Sequence, residues 1–474
     1  MPTVEIPLFT RSYKNADGVV LTDDAAIQYN GYIDGMTGMN IRPGEVLAKN
    51  PVKRIDGLMF WPDKNLILCV EEGATQLRTV SGETLVDYGS QGAVTVLPDN
   101  LATFANQGDY VFMAGGAKIS YVDATGAVTE LADADAPQTV THVEFLDGYI
   151  LAINGDGKFY WADVNSPTNW SALSFASAEA NPDVIKCIKV VQRQIYLLGT
   201  VSTEIWENDG ETPFSRIPGG AIEMGCIAKY SPIKRGNSLM WLNHDRQFVE
   251  FTGTSIKFVS NRYDKELSNF SYVEDCIGSV IIKDGQEFCV FSFPTEQRTL
   301  AYNPAIDDWS EWGTWNSEGE IWQPYDIRCS ARDLQTGKVF VGKGSAKSIA
   351  CLNSDSRVDI TDTGTRAFKF LRKTGFIDSG TSKKKRIEQL RFRAKRGSDW
   401  AETYTPKLMF RYRNNGKATW SNIKEISLGF TGDTDIQIKL FRLGIYESRQ
   451  FEISCSDNVP VVLHRAEADV TVLR

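Results

Sequence analysis

Residues that could carry out catalysis are few and scattered in this sequence. The three histidines, His142, His244 and His464, stand far apart, and none lies in the Gly-x-Ser-x-Gly context of a nucleophile elbow. Catalytic partners can be distant along a chain, so this spacing alone does not exclude a Ser-His-Asp or Cys-His site. We nevertheless expect a protein without enzymatic activity.

Two short motifs resemble ligand-binding loops without completing them. GKGSAKS, 342–348, resembles a phosphate-binding loop, but Val341 and Ala346 occupy its two glycine positions. Asp133 and Asp135 could open a calcium loop, yet the glycine and the distal glutamate are missing. The eight cysteines form no C-x-x-C pair, which argues against zinc and against a dense disulfide framework. We therefore predict buried free thiols, no metal and no cofactor.

A third motif, RYRNNGKATW at 411–420, resembles the Asp-box turn of sugar-acting propellers. Asn414 and Asn415 stand where the acid would be, and Ala418 adds a residue. Such a box is a folding element, in which we expect Trp420 to pack against its hairpin. The motif occurs once and outside the repeats described below, so it says little about glycans.

Basic residues crowd one strand-like segment, 383–396. They are Lys383, Lys384, Lys385, Arg386, Arg391, Arg393, Lys395 and Arg396. Alternate residues of a strand share a face, so Arg391, Arg393 and Lys395 are expected to project together. These eight residues are candidates for docking an acidic partner ring or for contacting DNA phosphates. The alternative is a solvated edge strand whose charges discourage aggregation.

Charge is divided unevenly along the 474 residues. Residues 355–474 carry 23 Lys and Arg against 15 Asp and Glu, a net of +8. Residues 1–354 carry 28 basic and 45 acidic residues, a net of −17. The chain is also longer than a single core usually supports, so we expect at least two domains that meet different partners. No segment is apolar enough to span a bilayer and no signal peptide is visible, which predicts a protein made in the cytoplasm.

A repeated unit dominates the first three quarters of the sequence: a turn, an apolar strand, a second turn and a strand with aromatic residues. The first apolar strands begin at Leu66, Tyr110, Tyr149, Ile195, Leu239, Phe288 and Val339, with spacings of 44, 39, 46, 44, 49 and 51 residues. Repeats of about 40–50 residues with four strands are typical of β-propellers, because neighbouring sheets bury each other's faces.

These patterns predict an all-β protein in three parts. Residues 1–45 form an extended N-terminal arm that closes the propeller ring or reaches a neighbouring subunit. Residues 46–354 form a β-propeller of six to eight blades, with seven favoured. Residues 355–474 alternate charged and apolar positions and form an antiparallel β-sandwich. An array of up-and-down sandwiches is the structural alternative to the propeller.

Long blocks of the sequence resemble one known family. FYWADVNSPTNWSALSFASAEANPDVI (159–185), the block from EIWENDG to MWLN (204–243) and FSFPTEQRTLAYNPAIDDWSEW (291–312) are similar to the tail nozzle, or packaged-DNA stabilisation, proteins of short-tailed bacteriophages, the podoviruses. IRPGE (41–45) and the stretch 407–444 resemble the start and the closing domain of that family. The segment 116–140 matches nothing in it.

The resemblance implies a structural virion protein. Such proteins form a homohexameric ring at the distal end of the tail and continue the DNA channel below the portal and adaptor rings. They help retain the packaged genome, carry the needle, fibres or spikes, and let double-stranded DNA pass at ejection. The resemblance thus places this chain in the virion tail, assembled in the host cytoplasm. We further expect propeller loops to line the channel and the basic C-terminal domain to contact the ring above.

Two other functions compete with this interpretation. A carbohydrate-binding or sialidase-like propeller would need an arginine cluster, a Tyr-Glu pair, a central acid and repeated Asp-boxes, and only one degenerate box is present. A cellular scaffold of WD-type repeats would show a periodic GH…WD signature, which is missing.

Overall fold

The computed structural model describes residues 3–6, 8–9, 27–34, 38–51, 53–72, 74–88, 92–98, 100–178, 183–210, 213–260, 263–316, 321–378, 381–396, 405–430, 433 and 435–473. Five strands precede the repeats: β1 (Thr3–Ile6), β2 (Ile27–Tyr29), β3 (Gly31–Asp34), β4 (Gly38–Ile41) and β5 (Gly44–Lys49). Part of the predicted N-terminal arm, including 10–26, lies outside the described residues.

Six sheets follow, each built from consecutive antiparallel strands. The first blade contains β6 (Ile55–Trp61), β7 (Leu66–Glu71), β8 (Ala74–Ser81), β9 (Thr84–Asp87) and β10 (Gly92–Ala93). The second contains β11 (Thr103–Gln107), β12 (Tyr110–Ala114), β13 (Ser120–Val122) and β14 (Val128–Glu130). The third contains β15 (His142–Leu146), β16 (Tyr149–Ile153), β17 (Lys158–Asp163) and β18 (Ser166–Ser177).

The fourth blade contains β19 (Cys187–Val191), β20 (Gln194–Leu198), β21 (Thr203–Asn208) and β22 (Phe214–Ile222). The fifth contains β23 (Ile233–Arg235), β24 (Ser238–Leu242), β25 (Phe248–Phe251) and β26 (Ile256–Phe258). The sixth contains β27 (Ile277–Lys283), β28 (Gln286–Phe293), β29 (Arg298–Asn303) and β30 (Asp308–Glu311). A six-residue helix, α1 (Asp264–Asn269), lies between β26 and β27.

One further sheet completes the ring, and its outer strand comes from the start of the chain. It contains β33 (Cys329–Arg332), β34 (Val339–Gly342) and β35 (Ile349–Asn353), with β5 paired antiparallel to β35. This sheet packs on the first blade through an apolar cluster that includes Ala48, Ile55 and Phe340. The ring is therefore closed by strands from its two ends.

The predicted β-propeller of six to eight blades is confirmed. The favoured count of seven differs from the six blades that consist wholly of consecutive strands, because the remaining sheet takes its outer strand from Gly44–Lys49. Each apolar run that marked a repeat lies in the second strand of its sheet. These strands are buried on both sides, as in β7 and β24, because blades pack on them from left and right.

Short strands link the ring to the C-terminal part, and the remaining strands form that part. The linking strands are β31 (Gly313–Asn316), β32 (Ile321–Pro324), β36 (Val358–Thr361) and β37 (Gly364–Ala367). The C-terminal strands are β38 (Phe370–Lys373), β39 (Lys385–Arg396), β40 (Lys407–Asn414), β41 (Lys424–Ser427), β42 (Asp435–Phe441), β43 (Ile445–Tyr446), β44 (Arg449–Cys455) and β45 (Val461–Val472).

The C-terminal strands form two facing sheets, as predicted for a sandwich. One sheet has the order β3-β4-β45-β39-β42, with β1 on β45 and β43 on β39. The other has the order β38-β44-β40-β41. Apolar side chains from both, among them Leu390, Phe392, Phe410 and Ile453, form one core between the sheets.

The sandwich and the propeller share a sheet. Strand β2 pairs antiparallel with β38 of the sandwich and, through Tyr29 and Glu311, parallel with β30 of the sixth blade. A nine-stranded sheet thus runs from the propeller axis to the outer edge of the sandwich. The division into 1–45, 46–354 and 355–474 remains a prediction, since strands of the first segment pair in both other parts.

Candidate docking surface and axial cavity

The basic segment occupies strand β39 and the loop before it. Five of its residues are exposed, namely Lys383, Lys384, Arg386, Arg393 and Lys395. Arg391 is half-buried, and Lys385 and Arg396 are buried. The structure therefore presents six of the eight predicted residues to solvent, with Arg391, Arg393 and Lys395 alternating along the outer face of the strand.

Two members of the segment serve the sandwich itself. Lys385 donates from Nζ to the carbonyl oxygen of Lys383 at 3.0 Å, and Arg396 donates from Nη1 to that of Gly429 at 2.8 Å. Both point inward because a register shift around Glu388 reverses the alternation of β39. A buried cation that binds backbone carbonyls is not available to a partner.

Each of the three exposed or half-buried arginines forms an ion pair with an acidic neighbour. The ion pairs are Arg386–Glu388 at 2.5 Å, Arg391–Asp469 at 2.9 Å and Arg393–Asp435 at 3.4 Å. The Thr3 hydroxyl and Arg391 hold the pKa of the Asp469 carboxyl below its ordinary value. Within the described part of the chain, Lys383, Lys384 and Lys395 have no side-chain ion pair. The surface formed by these three lysines is called the basic face below. Its positive charge is not paired with any neighbouring carboxylate that the structure describes.

The motifs that resembled ligand loops have structural roles. Both carboxylate oxygens of Asp133 accept backbone N–H groups, one from Asp135 and one from Trp170, each at 2.9 Å. In the degenerate Asp-box, Gly416 has a left-handed φ of 66°. The guanidinium carbon of Arg411 lies over the indole ring of Trp420, 4.8 Å from the ring centroid. No group of three or more potential metal ligands occurs among the described residues.

A buried ionic cluster, which we call the closure cluster, fastens the start of β5 to the end of the propeller. Its members are Arg42, Glu45, Tyr325, Lys343 and Asp359, and the charged side chains are at most 3% exposed. Arg42 pairs with Asp359 at 2.6 Å, and Lys343 pairs with Glu45. The Tyr325 hydroxyl donates to Glu45 at 2.5 Å. Burial alone would lower the pKa of Arg42, but Asp359 holds it above its ordinary value.

Sequence reasoning missed this cluster although it touched two of its parts. Arg42 and Glu45 belong to the IRPGE turn, which was noted only as a point of family resemblance. Lys343 belongs to the segment that resembled a phosphate loop, where its amine binds Glu45. The combination of an arginine and a glutamate beside a Pro-Gly turn was the available signal. Its meaning depends on Asp359, which lies 317 positions from Arg42.

A cavity of about 300 Å³ lies on the axis of the propeller. Every innermost strand contributes to its wall, and its charged residues are Asp56, Lys189, Lys229, Lys234 and Arg328. Four cations thus face one carboxylate. A second cavity of about 540 Å³ adjoins it and shares Lys229 and Arg328 with it. This arrangement could not be predicted from sequence patterns, because its members come from different blades.

His142 lines the axial cavity as a neutral imidazole. Burial, and then the charge of Lys189, lower its pKa to about 3. Its Nε2 lies 3.1 Å from the carbonyl oxygen of Lys229, which can only accept, so the proton resides on Nε2. The Nδ1 atom then accepts from the Thr141 hydroxyl at 3.2 Å. The ring also stacks on Tyr230 with centroids 5.2 Å apart. These contacts make His142 a structural residue of the wall.

Comparison with known proteins adds one family match. The family model described as "Bacteriophage P22 Gp10, beta-propeller", Phage_stabilise, matches residues 72–356. No curated protein matches the sequence. In the described part of the chain, no helix has the length and apolar character needed to cross a bilayer.

Solved structures similar to this chain include three that match about two thirds of its length. The WD40 β-propeller domain of Doa1 has a TM-score of 0.41 and 10% identity, covering 65% of this chain and 96% of its own. The N-terminal domain of Nup159 has a TM-score of 0.41 and 8% identity, covering 69% and 98%. The computationally designed Ika8 protein has a TM-score of 0.38 and 12% identity, covering 66% and 99%.

Proposed function

Because the chain belongs to the phage stabilisation family of bacteriophage P22 Gp10, we propose that it forms the distal nozzle ring of a short-tailed phage. The match to this family over the propeller carries the proposal, and it makes the chain a structural component of a phage particle. The finer role is a homohexameric ring that extends the DNA channel, helps retain the packaged genome and lets it pass into the host.

Rigidity supports the role of a tube wall. The ring of blades is closed by β5, and the nine-stranded sheet joins it to the sandwich through backbone pairing. A channel wall has to keep its diameter while DNA under pressure bears on it. Sheets that are hydrogen-bonded across a domain boundary leave few bonds free to act as a hinge.

The charge division supports two kinds of contact. Residues 1–354 have a net charge of −17, so a channel lined by propeller loops repels phosphates and lets a duplex slide. The basic face on the sandwich suits an acidic surface of the adaptor ring above. Needle, fibre or spike proteins would then attach to the propeller side. Assembly in the host cytoplasm and the place in the virion tail are parts of the same proposal.

The test is electron microscopy of the purified chain, alone and mixed with the other tail proteins. We expect six-fold rings with a central hole, and ring-on-ring complexes when the adaptor is added. A chain that stays monomeric under all conditions, including in the presence of the adaptor, would contradict the nozzle role.

Charge reversal tests whether adaptor docking depends on the basic face or on the net charge of the chain. The double variant Lys383→Glu/Lys384→Glu should weaken adaptor docking, measured by co-sedimentation, and leave ring formation intact. The matched control is Lys53→Glu/Lys417→Glu, which makes the same charge change at exposed lysines elsewhere. Equal weakening by both doubles would show that net charge, rather than this face, governs docking.

A further inference from the structure

We propose that neighbouring copies of this chain contact one another head to tail, with a bulge of β18 in one copy seated in a groove on the sandwich of the next. The β18 bulge consists of residues 171–174. The sandwich groove is lined by Arg386, Ile387, Glu388, Phe441, Arg442 and Gly444. This inference rests on the proposed nozzle ring, for which it names the surfaces that join one copy to the next.

The β18 bulge projects from the outer strand of the third blade. Two register pairs, Phe175 with Tyr160 and Trp170 with Ala162, leave four residues of β18 opposite a single residue of β17. Residues in excess of those on the partner strand are left unpaired and bend the strand that carries them. Leu173 is one of these four residues. It is 86% exposed, more than any other large apolar side chain in the described part of the chain.

The strand that carries the bulge has little of the usual protection of a sheet edge. Strand β18 runs for 12 residues, Ser166–Ser177, without a charged side chain. It is the last strand of its sheet, and its outer edge pairs with no other strand that the structure describes. Proteins protect such edges with charges or proline, and here only Pro167, four positions before the bulge, does so. An uncharged edge with an exposed leucine therefore favours a surface that another protein covers.

The sandwich groove offers an apolar recess at one end of β39. Its volume is about 770 Å³, and its wall includes the ring of Phe441, which is 54% exposed. Ile445, which is 53% exposed, follows the groove residue Gly444 and lies opposite Arg386 in the sheet. Exposed apolar side chains release water when another apolar side chain covers them. A leucine that projects from a second copy therefore suits this recess.

Charge distinguishes the two surfaces. Near the bulge, three carboxylates accept hydrogen bonds from residues of β17 and β18, and one ammonium lies 4.3 Å from the centroid of the Phe175 ring; the carboxylates are Asp133, Asp156 and Asp163, and the ammonium is Lys158. In the groove, two guanidinium groups, Arg386 and Arg442, exceed the single carboxylate of Glu388. Opposite charges favour the contact of bulge with groove, whereas a contact of bulge with bulge brings like charges together.

The positions of the two surfaces suit a ring. The sandwich is joined to the sixth blade through β2, and the bulge belongs to the third blade. In a closed ring of seven sheets these two blades are three places apart, which is the greatest separation available. Different surfaces on opposite sides of one chain add copies head to tail, and such contacts generate rings when the rotation between copies closes.

Cross-linking between two different variants tests the contact directly. Copies with Leu173→Cys are mixed with copies with Phe441→Cys and treated with a short bifunctional maleimide. All native cysteines are buried or half-buried, so they should react slowly. We expect covalent dimers in the mixture and none with either variant alone. The control mixture pairs Phe441→Cys with Leu334→Cys, which places a thiol at a leucine that is 64% exposed on the last blade. Absence of dimers, or equal yields from both mixtures, would overturn the proposal.

Polar substitution tests whether the contact builds the ring. Leu173→Asn should raise the dissociation constant between copies about tenfold or more, because an amide replaces the apolar side chain in the recess. Leu334→Asn should leave it unchanged, and both variants should keep the thermal stability of the monomer. Rings that persist unchanged in Leu173→Asn would overturn this contact and leave the nozzle role intact, as would loss of adaptor binding alone. Cross-linking without any rings of the unchanged chain would support the contact and contradict the nozzle role.

Discussion

At the scale of single residues, the most consequential contacts are buried charges that join distant parts of the chain. Arg42 is fully buried between Asp359 and the ring of Phe368, whose centroid lies 3.9 Å from the guanidinium carbon. Taking such charges out of water is costly, and the cost is offset by the partner charge together with the hydrogen bonds of Arg42 to Asn30 and to the Pro43 carbonyl. The closure cluster therefore specifies which strand completes the ring more than it adds net stability.

Replacement of Arg42 by methionine should destabilise the protein by about 3–5 kcal/mol, because Asp359 is left buried without its partner. Urea unfolding followed by tryptophan fluorescence measures this. The control is Lys118→Met, which breaks the exposed pair with Glu130 and should cost less than about 1 kcal/mol. Asp359→Asn in the Arg42→Met background should restore part of the loss. Similar small losses for Arg42→Met and Lys118→Met would contradict the role given to the cluster.

Acid should weaken the fold through His142. Its pKa falls from 6.5 to about 3 on folding, so below pH 6.5 the unfolded chain binds a proton that the folded chain does not. Stability from this residue is complete above pH 6.5 and falls by about 1.4 kcal/mol per pH unit down to pH 3. Denaturant titrations between pH 4.5 and 7.5 measure the slope. The variant His142→Gln keeps a donor for the Lys229 carbonyl and should have a shallower slope, whereas an unchanged slope would refute the assignment.

At the scale of elements, ring closure depends on one six-residue strand from the start of the chain. Strand β5 supplies the outer edge of the last sheet, and its Ala48 is 6% exposed in the cluster between that sheet and the first blade. A propeller that closes by joining its two ends is held by this pairing, because the described strands of the first six blades otherwise pair with one another inside their own blade, apart from the contact of β2 with β30.

Ala48→Asp should therefore cost about 3 kcal/mol or more, since it buries an unpaired carboxylate where the ring closes. Ala172→Asp is the matched control, because Ala172 is exposed on β18, the outer strand of the third blade. It should change stability by no more than about 0.5 kcal/mol. Limited proteolysis should also cut the Ala48→Asp variant first between β5 and β6. Equal stability of the two variants would show that β5 is not needed for closure.

The sequence predicted those elements whose signal is local. The second strands of the blades are continuous apolar runs, as in Leu66–Glu71, and their spacing revealed the propeller. The pairing of β2 was not predictable, because a three-residue strand carries no periodicity and its partners lie near Glu311 and Leu371. The basic segment was found by composition alone. The inward turn of Lys385 and Arg396 depends on a register shift that only pairing with β45 reveals.

At the scale of the whole molecule, opposite charges are separated between propeller and sandwich. The net charge of −9 makes the chain as a whole repel polyanions, while the basic face remains attractive at short range. Salt decides between these effects, because the Debye length shortens from about 30 Å at 0.01 M to about 8 Å at 0.15 M. The proposed nozzle role, in which DNA slides past the protein at ejection, is consistent with this balance.

The purified chain should bind a labelled DNA duplex only weakly, and only at low salt. Fluorescence anisotropy between 0.02 and about 0.15 M salt should show binding that disappears as salt rises, because few phosphates are neutralised. The variant Lys383→Glu/Lys384→Glu should abolish the residual binding, and Lys53→Glu/Lys417→Glu should not. Tight binding that persists at high salt would contradict a channel through which DNA slides.

Because strands near the start of the chain pair with strands near its end, parts of the fold can form only late in synthesis on the ribosome. Strand β1 waits for β45, with Thr3 bonded to a residue 466 positions later, and β5 waits for β35. Blades whose strands are consecutive can form as they emerge, but the joint between ring and sandwich cannot. A chain that terminates before β39 therefore lacks both the joint between ring and sandwich and the basic face. If the chain forms the proposed nozzle ring, such incomplete copies should not dock on the adaptor.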